Sequence, residues 1–99
     1  MVELIVYEKR ALSKNDFIEI KAWKFPISED FPNGVKYSFA YIRYGKRVFG
    51  YDNERGKGHH RHFEDKEEEI EFEGYEKLLE KFRREVKELF EKYEEKENE

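Results

Sequence analysis

The sequence predicts an α+β fold: an antiparallel sheet of four to five strands with one long C-terminal helix packed on a face. Two periodicities carry that expectation. Apolar residues recur at every second position through the first part of the chain, and at three- and four-residue steps in the last part. A tight reversal at Gly45-Lys46 joins two of the strands as a hairpin, which makes their pairing antiparallel.

The opening "MVELIVYEKRAL" alternates Val2, Leu4 and Val6 with Glu3, Ile5 and Tyr7. Apolar groups then lie on both faces, and a central or covered strand is expected. "SKND" is a turn cluster, and "FIEIKAWKF" resumes as a strand with Ile18, Ile20 and Ala22 on one side. "PISEDFPNG" breaks the pattern, with Pro26, Pro32 and Asn33-Gly34 marking a loop and a turn. "VKYSFAYIRY" is the clearest strand, its Val35, Tyr37, Phe39 and Tyr41 sharing a face. After the reversal, "RVFGYD" is its hairpin partner. A glycine-containing loop follows, and "EEEIEFEG" supplies a short fifth strand through Ile70 and Phe72.

The spacing predicts a helix over Tyr75 to Tyr93. Tyr75, Leu78, Leu79, Phe82, Val86, Leu89, Phe90 and Tyr93 draw one apolar stripe, which packs on the sheet. Glu73/Lys77, Glu80/Arg84 and Glu88/Lys92 stand four apart in the favoured order, and Gly74 marks the entry.

Ninety-nine residues suit a single domain spanning 1–99. Nine Phe, seven Tyr and one Trp bring large buried areas to a chain that is only 37% hydrophobic. A 44% charged fraction rich in Glu and Lys, with one Met, points to a thermophilic origin. The absence of cysteine excludes disulfides, thiolate zinc sites and a cysteine nucleophile. The start is too short and too charged for a signal peptide, and no apolar run reaches a membrane span. A soluble, cytoplasmic protein without a membrane partner is expected.

The net charge of −4 divides unevenly. From Met1 to His62 there are twelve Lys and Arg against eight Asp and Glu; from Phe63 to Glu99 there are eight against sixteen. Between Lys36 and His62 seven basic residues face only Asp52 and Glu54. A basic half of this kind suits an anionic partner, and equally a solvated sheet face beside an acidic helix.

All three histidines fall in "FGYDNERGKGHHRH", Phe49 to His62. In extended backbone His60 and His62 point one way and His59 the other. Three readings fit these residues. One is a solvated loop. Another is zinc or a related divalent metal on the H-x-H pair, with Asp52 or Asp65 adding oxygen. The third uses two imidazoles as acid and base, with Arg61 or Arg55 stabilising a phosphorane, and needs neither metal nor cofactor.

The run from Gly34 to Phe63, "GVKYSFAYIRYGKRVFGYDNERGKGHHRHF", resembles the TumE-like toxin family. There a hairpin ending in Tyr-Asp-Asn precedes a spacer and an H-H-x-H cluster, matched here by Tyr51, Asp52, Asn53, His59, His60 and His62. The spacer "ERGKG" is short and lacks the proline-containing segment common in that family. The resemblance implies the toxin half of a type II toxin–antitoxin pair, with a small helix-turn-helix antitoxin as partner. Combined with the loop chemistry, it gives an expected endoribonuclease-like toxin acting on RNA. His60 and His62 are then acid and base, with Asp52 orienting one ring and Arg61 at the phosphate. Arg55, Lys57, His59, Tyr51 and Asn53 contact substrate, and Tyr37 or Tyr41 offers a stacking surface if its face is open. The alternative is a non-catalytic nucleic-acid- or protein-binding module with a basic hairpin.

Overall fold

Alternating side chains in the first two thirds fold into strands, as their period requires. These are β1 (Glu3–Ala11), β2 (Asp16–Lys24), β3 (Val35–Arg43), β4 (Lys46–Glu54), β5 (Gly58–Phe63) and β6 (Lys66–Glu69). They form one sheet in chain order, each strand antiparallel to the next. One helix among the described residues, α1 (Tyr75–Glu97), follows. The structure, a computed structural model, describes residues 1–54 and 57–98.

The α+β architecture is as expected, with six strands instead of four or five. The added strand is β5: the histidine run pairs with β4 throughout rather than forming a loop. The edge strand β6 is Lys66–Glu69, and Ile70 and Phe72 fall after it, packed against the core. The helix runs four residues beyond Tyr93. β1 is neither central nor covered but forms the other edge, with Leu4 60% and Tyr7 54% exposed. A register shift between Leu4 and Val6 breaks the alternation on which that expectation rested.

The helix covers one face of the sheet. Leu78, Phe82 and Val86 lie over Ile18, Ile20, Ala22, Val35, Tyr37, Phe39, Tyr41, Phe49 and Tyr51, all buried. Phe82 is completely buried, its ring stacked 5.6 Å from Phe49 and tilted 5.8 Å from Phe39. Burying one such ring stabilises by about 2–3 kcal/mol. Tyr37 and Tyr41 are therefore core residues, and the face they share is not open to stack bases.

Three buried tyrosines bring hydroxyls that need partners. Tyr41 donates to Asp16 Oδ2 at 2.6 Å, Tyr51 donates to Glu85, and Tyr37 meets His59 Nδ1 at 2.9 Å. Arg43 joins Asp16 at 2.7 Å and also holds Glu97, so the last turn of α1 is tied to the sheet. At Gly50 the chain passes β3 so closely that an added Cβ would lie 2.4 Å from the Phe39 carbonyl oxygen. Only glycine fits there.

Candidate functional site

Pairing fixes which side chains share a face, because residues directly opposite in a sheet point the same way. In β4 and β5 the pairs are Asp52 with His60, Gly50 with His62, Tyr51 with Arg61, and Asn53 with His59. Tyr51 is buried beneath the helix, so Arg61, Asn53 and His59 belong to that covered face. Asp52, His60 and His62 lie on the open face. The alternation expected for the histidines holds, and it divides the expected site residues into two groups.

On the open face, Asp52, His60 and His62 line a cavity of about 340 Å³ together with Arg47, Glu54, Lys57 and Glu67. His62 Nε2 lies 3.0 Å from Asp52 Oδ1, and Arg47 reaches Asp52 Oδ2 at 3.3 Å. A carboxylate only accepts, so neutral His62 carries its proton on Nε2 and leaves Nδ1 as the basic atom. His60 Nε2 donates to the Lys57 carbonyl oxygen at 2.8 Å. Its Nδ1 lies 2.9 Å from Glu67 Oε1, an ion-pair contact outside hydrogen-bond geometry. The Lys57 carbonyl raises the His60 pKa above the usual imidazole range; burial opposes this, and Glu67, Asp52 and Glu69 add to the rise. His60 therefore favours its cationic form more than a free histidine does.

On the covered face the remaining expected residues make contacts within the fold. Arg61 donates to Glu85 Oε2 at 2.8 Å and lies over the rings of Phe49 and Phe63. Tyr51 donates to the same carboxylate. Asn53 accepts from the Tyr37 amide at 2.9 Å and donates to the Val35 carbonyl at 2.8 Å, closing the end of the β3–β4 ladder. His59 stacks 4.0 Å from Phe72, bonds Tyr37 and contacts Asn33 Oδ1 at 2.9 Å. Burial lowers its pKa, and the nearby charge of His60 acts in the same direction. Lys57 is in the cavity; Arg55 lies outside the described residues.

Sequence reasoning missed Arg47, Glu54 and Glu67. Strict alternation puts Arg47 with Phe49 and Tyr51, beneath the helix. A register shift pairs Tyr41 with Phe49 but Ile42 with Arg47, and so turns Arg47 to the open face. Glu67 comes from β6, a strand of four consecutive charged residues with no apolar pattern to reveal it. Among the described residues, no group of three or more His, Cys, Asp or Glu has the arrangement of a metal site.

A family model described as Toxin TumE matches residues 2–90. The chain belongs to the TumE toxin family. Membership in TumE supports a toxin role and, with it, an antitoxin partner. Comparison with curated proteins and with solved structures returned no match. No helix among the described residues is long and apolar enough to cross a membrane.

Proposed function

We propose that this TumE protein is a toxin that cleaves RNA by acid–base chemistry at Asp52, His60 and His62. The 3.0 Å contact between His62 Nε2 and Asp52 carries the reading, because it sets the tautomer that a base requires. His62 Nδ1 takes the proton of a ribose 2′-hydroxyl as that oxygen bonds to the adjacent phosphorus. His60, cationic, gives a proton to the departing 5′-oxygen. A cyclic phosphate and a 5′-hydroxyl result, and the two histidines end in exchanged protonation states. Lys57 holds the phosphate as expected of it, with Arg47 in the place first expected of Arg61. A small helix-turn-helix antitoxin is the proposed partner.

End-labelled single-stranded RNA incubated with the purified protein tests this. Cleavage should be bell-shaped in pH near neutrality, and either His→Ala change should lower it roughly a hundredfold. EDTA should leave the rate unchanged. Cleavage insensitive to both His60→Ala and His62→Ala would remove the catalytic reading. Activity lost with EDTA and restored by zinc would make the same residues ligands instead.

A further inference from the structure

The open face extends well beyond the histidines. Its pairings run in straight rows across the sheet: Tyr7, Lys21, Ser38, Asp52, His60 and Glu69 form one, and Lys9, Glu19, Ala40, Gly50, His62 and Glu67 the next. Beside the first row stand Leu4, Trp23 and Lys36; beside the second stand Ala11, Phe17, Ile42 and Arg47. The central positions Ser38, Ala40 and Gly50 are all small. Gly50 is buried, while partly exposed Ser38 and Ala40 leave a shallow trough between the Asp52–His62 pair and the Lys21–Glu19 ion pair of β2. Trp23 stands on one bank and Phe17, under the Lys9 ammonium, on the other. Both aromatic rings are partly exposed.

We propose that Trp23 is a base-stacking subsite for single-stranded RNA, which crosses the sheet from β5 to β2 along this trough. The inference rests on the proposed reading of Asp52, His60 and His62. Trp23 stands two strands and one row from Asp52, about 12 Å by sheet spacing, a span of roughly two extended nucleotides. Side chains as small as Ser38 and Ala40 let a ribose-phosphate backbone approach the sheet, and exposed Lys36 beside Trp23 offers it a cation. An unpaired base presents an apolar face that an indole covers well, whatever its identity. Double-stranded RNA keeps its bases stacked inside and leaves Trp23 without a partner.

Trp23 is the chain's one tryptophan, so fluorescence excited at the red edge of the indole band, where the seven tyrosines scarcely absorb, reports this position. The His62→Ala protein, titrated at low salt with a short mixed adenine–uridine oligoribonucleotide, should show saturable quenching. In the active protein, Trp23→Ala should weaken RNA binding and raise KM roughly tenfold to a hundredfold, with kcat and melting temperature near the parent's. Trp23→Phe should restore most of the loss. Ser38→Glu, which puts a charge on the trough floor, should reproduce it. Cleavage that depends on the histidines but ignores Trp23→Ala overturns the subsite and leaves the catalytic reading standing. Quenching without cleavage keeps the subsite and removes the catalytic reading. No quenching by RNA overturns the subsite and leaves this face to a protein partner.

Discussion

His62 reaches Asp52 along a diagonal. The two are not cross-strand partners, since Asp52 pairs with His60 and His62 pairs with Gly50, yet Nε2 and Oδ1 lie 3.0 Å apart. Gly50 has no side chain opposite His62, and the ring is free to lean toward the carboxylate. Asp52→Asn keeps the size of the group and removes its charge. RNA cleavage should fall by roughly a hundredfold as the preferred tautomer is lost, while the melting temperature changes little. A variant that cleaves at the parental rate would detach Asp52 from the chemistry.

Arg61 and Glu85 make the opposite prediction. Their contact, 2.8 Å long, lies under the covered face with the Arg61 side chain 26% exposed. Hydrogen bonds to charged groups at such sites contribute about 1–2 kcal/mol after allowance for solvent screening. Arg61→Ala and Glu85→Gln should each lower the urea midpoint accordingly and leave the cleavage rate per folded molecule within about twofold, since both act away from the cavity. A large loss of rate at parental stability would return Arg61 to the phosphate.

Asn53 should matter more than its neighbour Glu54. It is buried and satisfies two backbone groups, the Tyr37 amide and the Val35 carbonyl. Asn53→Ala leaves both without their partner and should cost about 1–3 kcal/mol. Denaturant unfolding measures this directly. A loss under about 0.5 kcal/mol would mean that water replaces the side chain.

The histidines should pull stability in opposite directions with pH. His59 is held below the usual imidazole pKa by burial and by His60. The folded state prefers that ring neutral, so its contribution is complete above about pH 6.5 and is lost as pH falls through the lowered folded value. His60 is raised by the Lys57 carbonyl and by surrounding carboxylates. Its contribution is complete below about pH 6.5 and is lost as pH rises through the raised value. Urea midpoints measured from pH 5 to 8 should lose their acid slope in His59→Phe and part of their alkaline slope in His60→Asn. Parallel curves for parent and variants would contradict both assignments.

Phe82 tests the core. Phe82→Asp buries an unpaired charge where the side chain is completely enclosed, and should cost about 3 kcal/mol or more. Lys87→Ala, on an exposed position of the same helix, should be nearly silent in thermal melting.

Legibility in the sequence followed apolar content. β2 and β3 alternate cleanly, and the stripe of α1 is nearly unbroken, so both were readable from period alone. β5 was not, because its residues are polar on both faces: His59 and Arg61 reach into the core edge by stacking and ion pairing, not by being hydrophobic. β6 is held by backbone pairing and by ion-pair contacts of Glu67 with His60 and Glu68 with Arg61, none of them apolar, and its charges guard a free edge. For the candidate site, the i,i+2 spacing put His60 and His62 on one face, where both line the same cavity. By the same alternation Arg61 lies on the covered face, and Arg47 was hidden by a register shift that single-residue counting does not detect.

The pairing of β4 with β5 also decides how this protein fails. Along both strands, consecutive residues belong alternately to the hydrophobic interior and to the histidine cavity. Sliding β5 by one position would carry His59 outward and press His60 and His62 against Phe72 and the helix. Such a product keeps its sheet but loses its proposed chemistry. The His59–Phe72–Tyr37 stack opposes that slip by giving His59 a seat that no neighbour in β5 fills as well. If the proposed site carries the toxicity, a copy misthreaded at β4–β5 would be harmless, and potency would belong to chains in which these two strands pair in register.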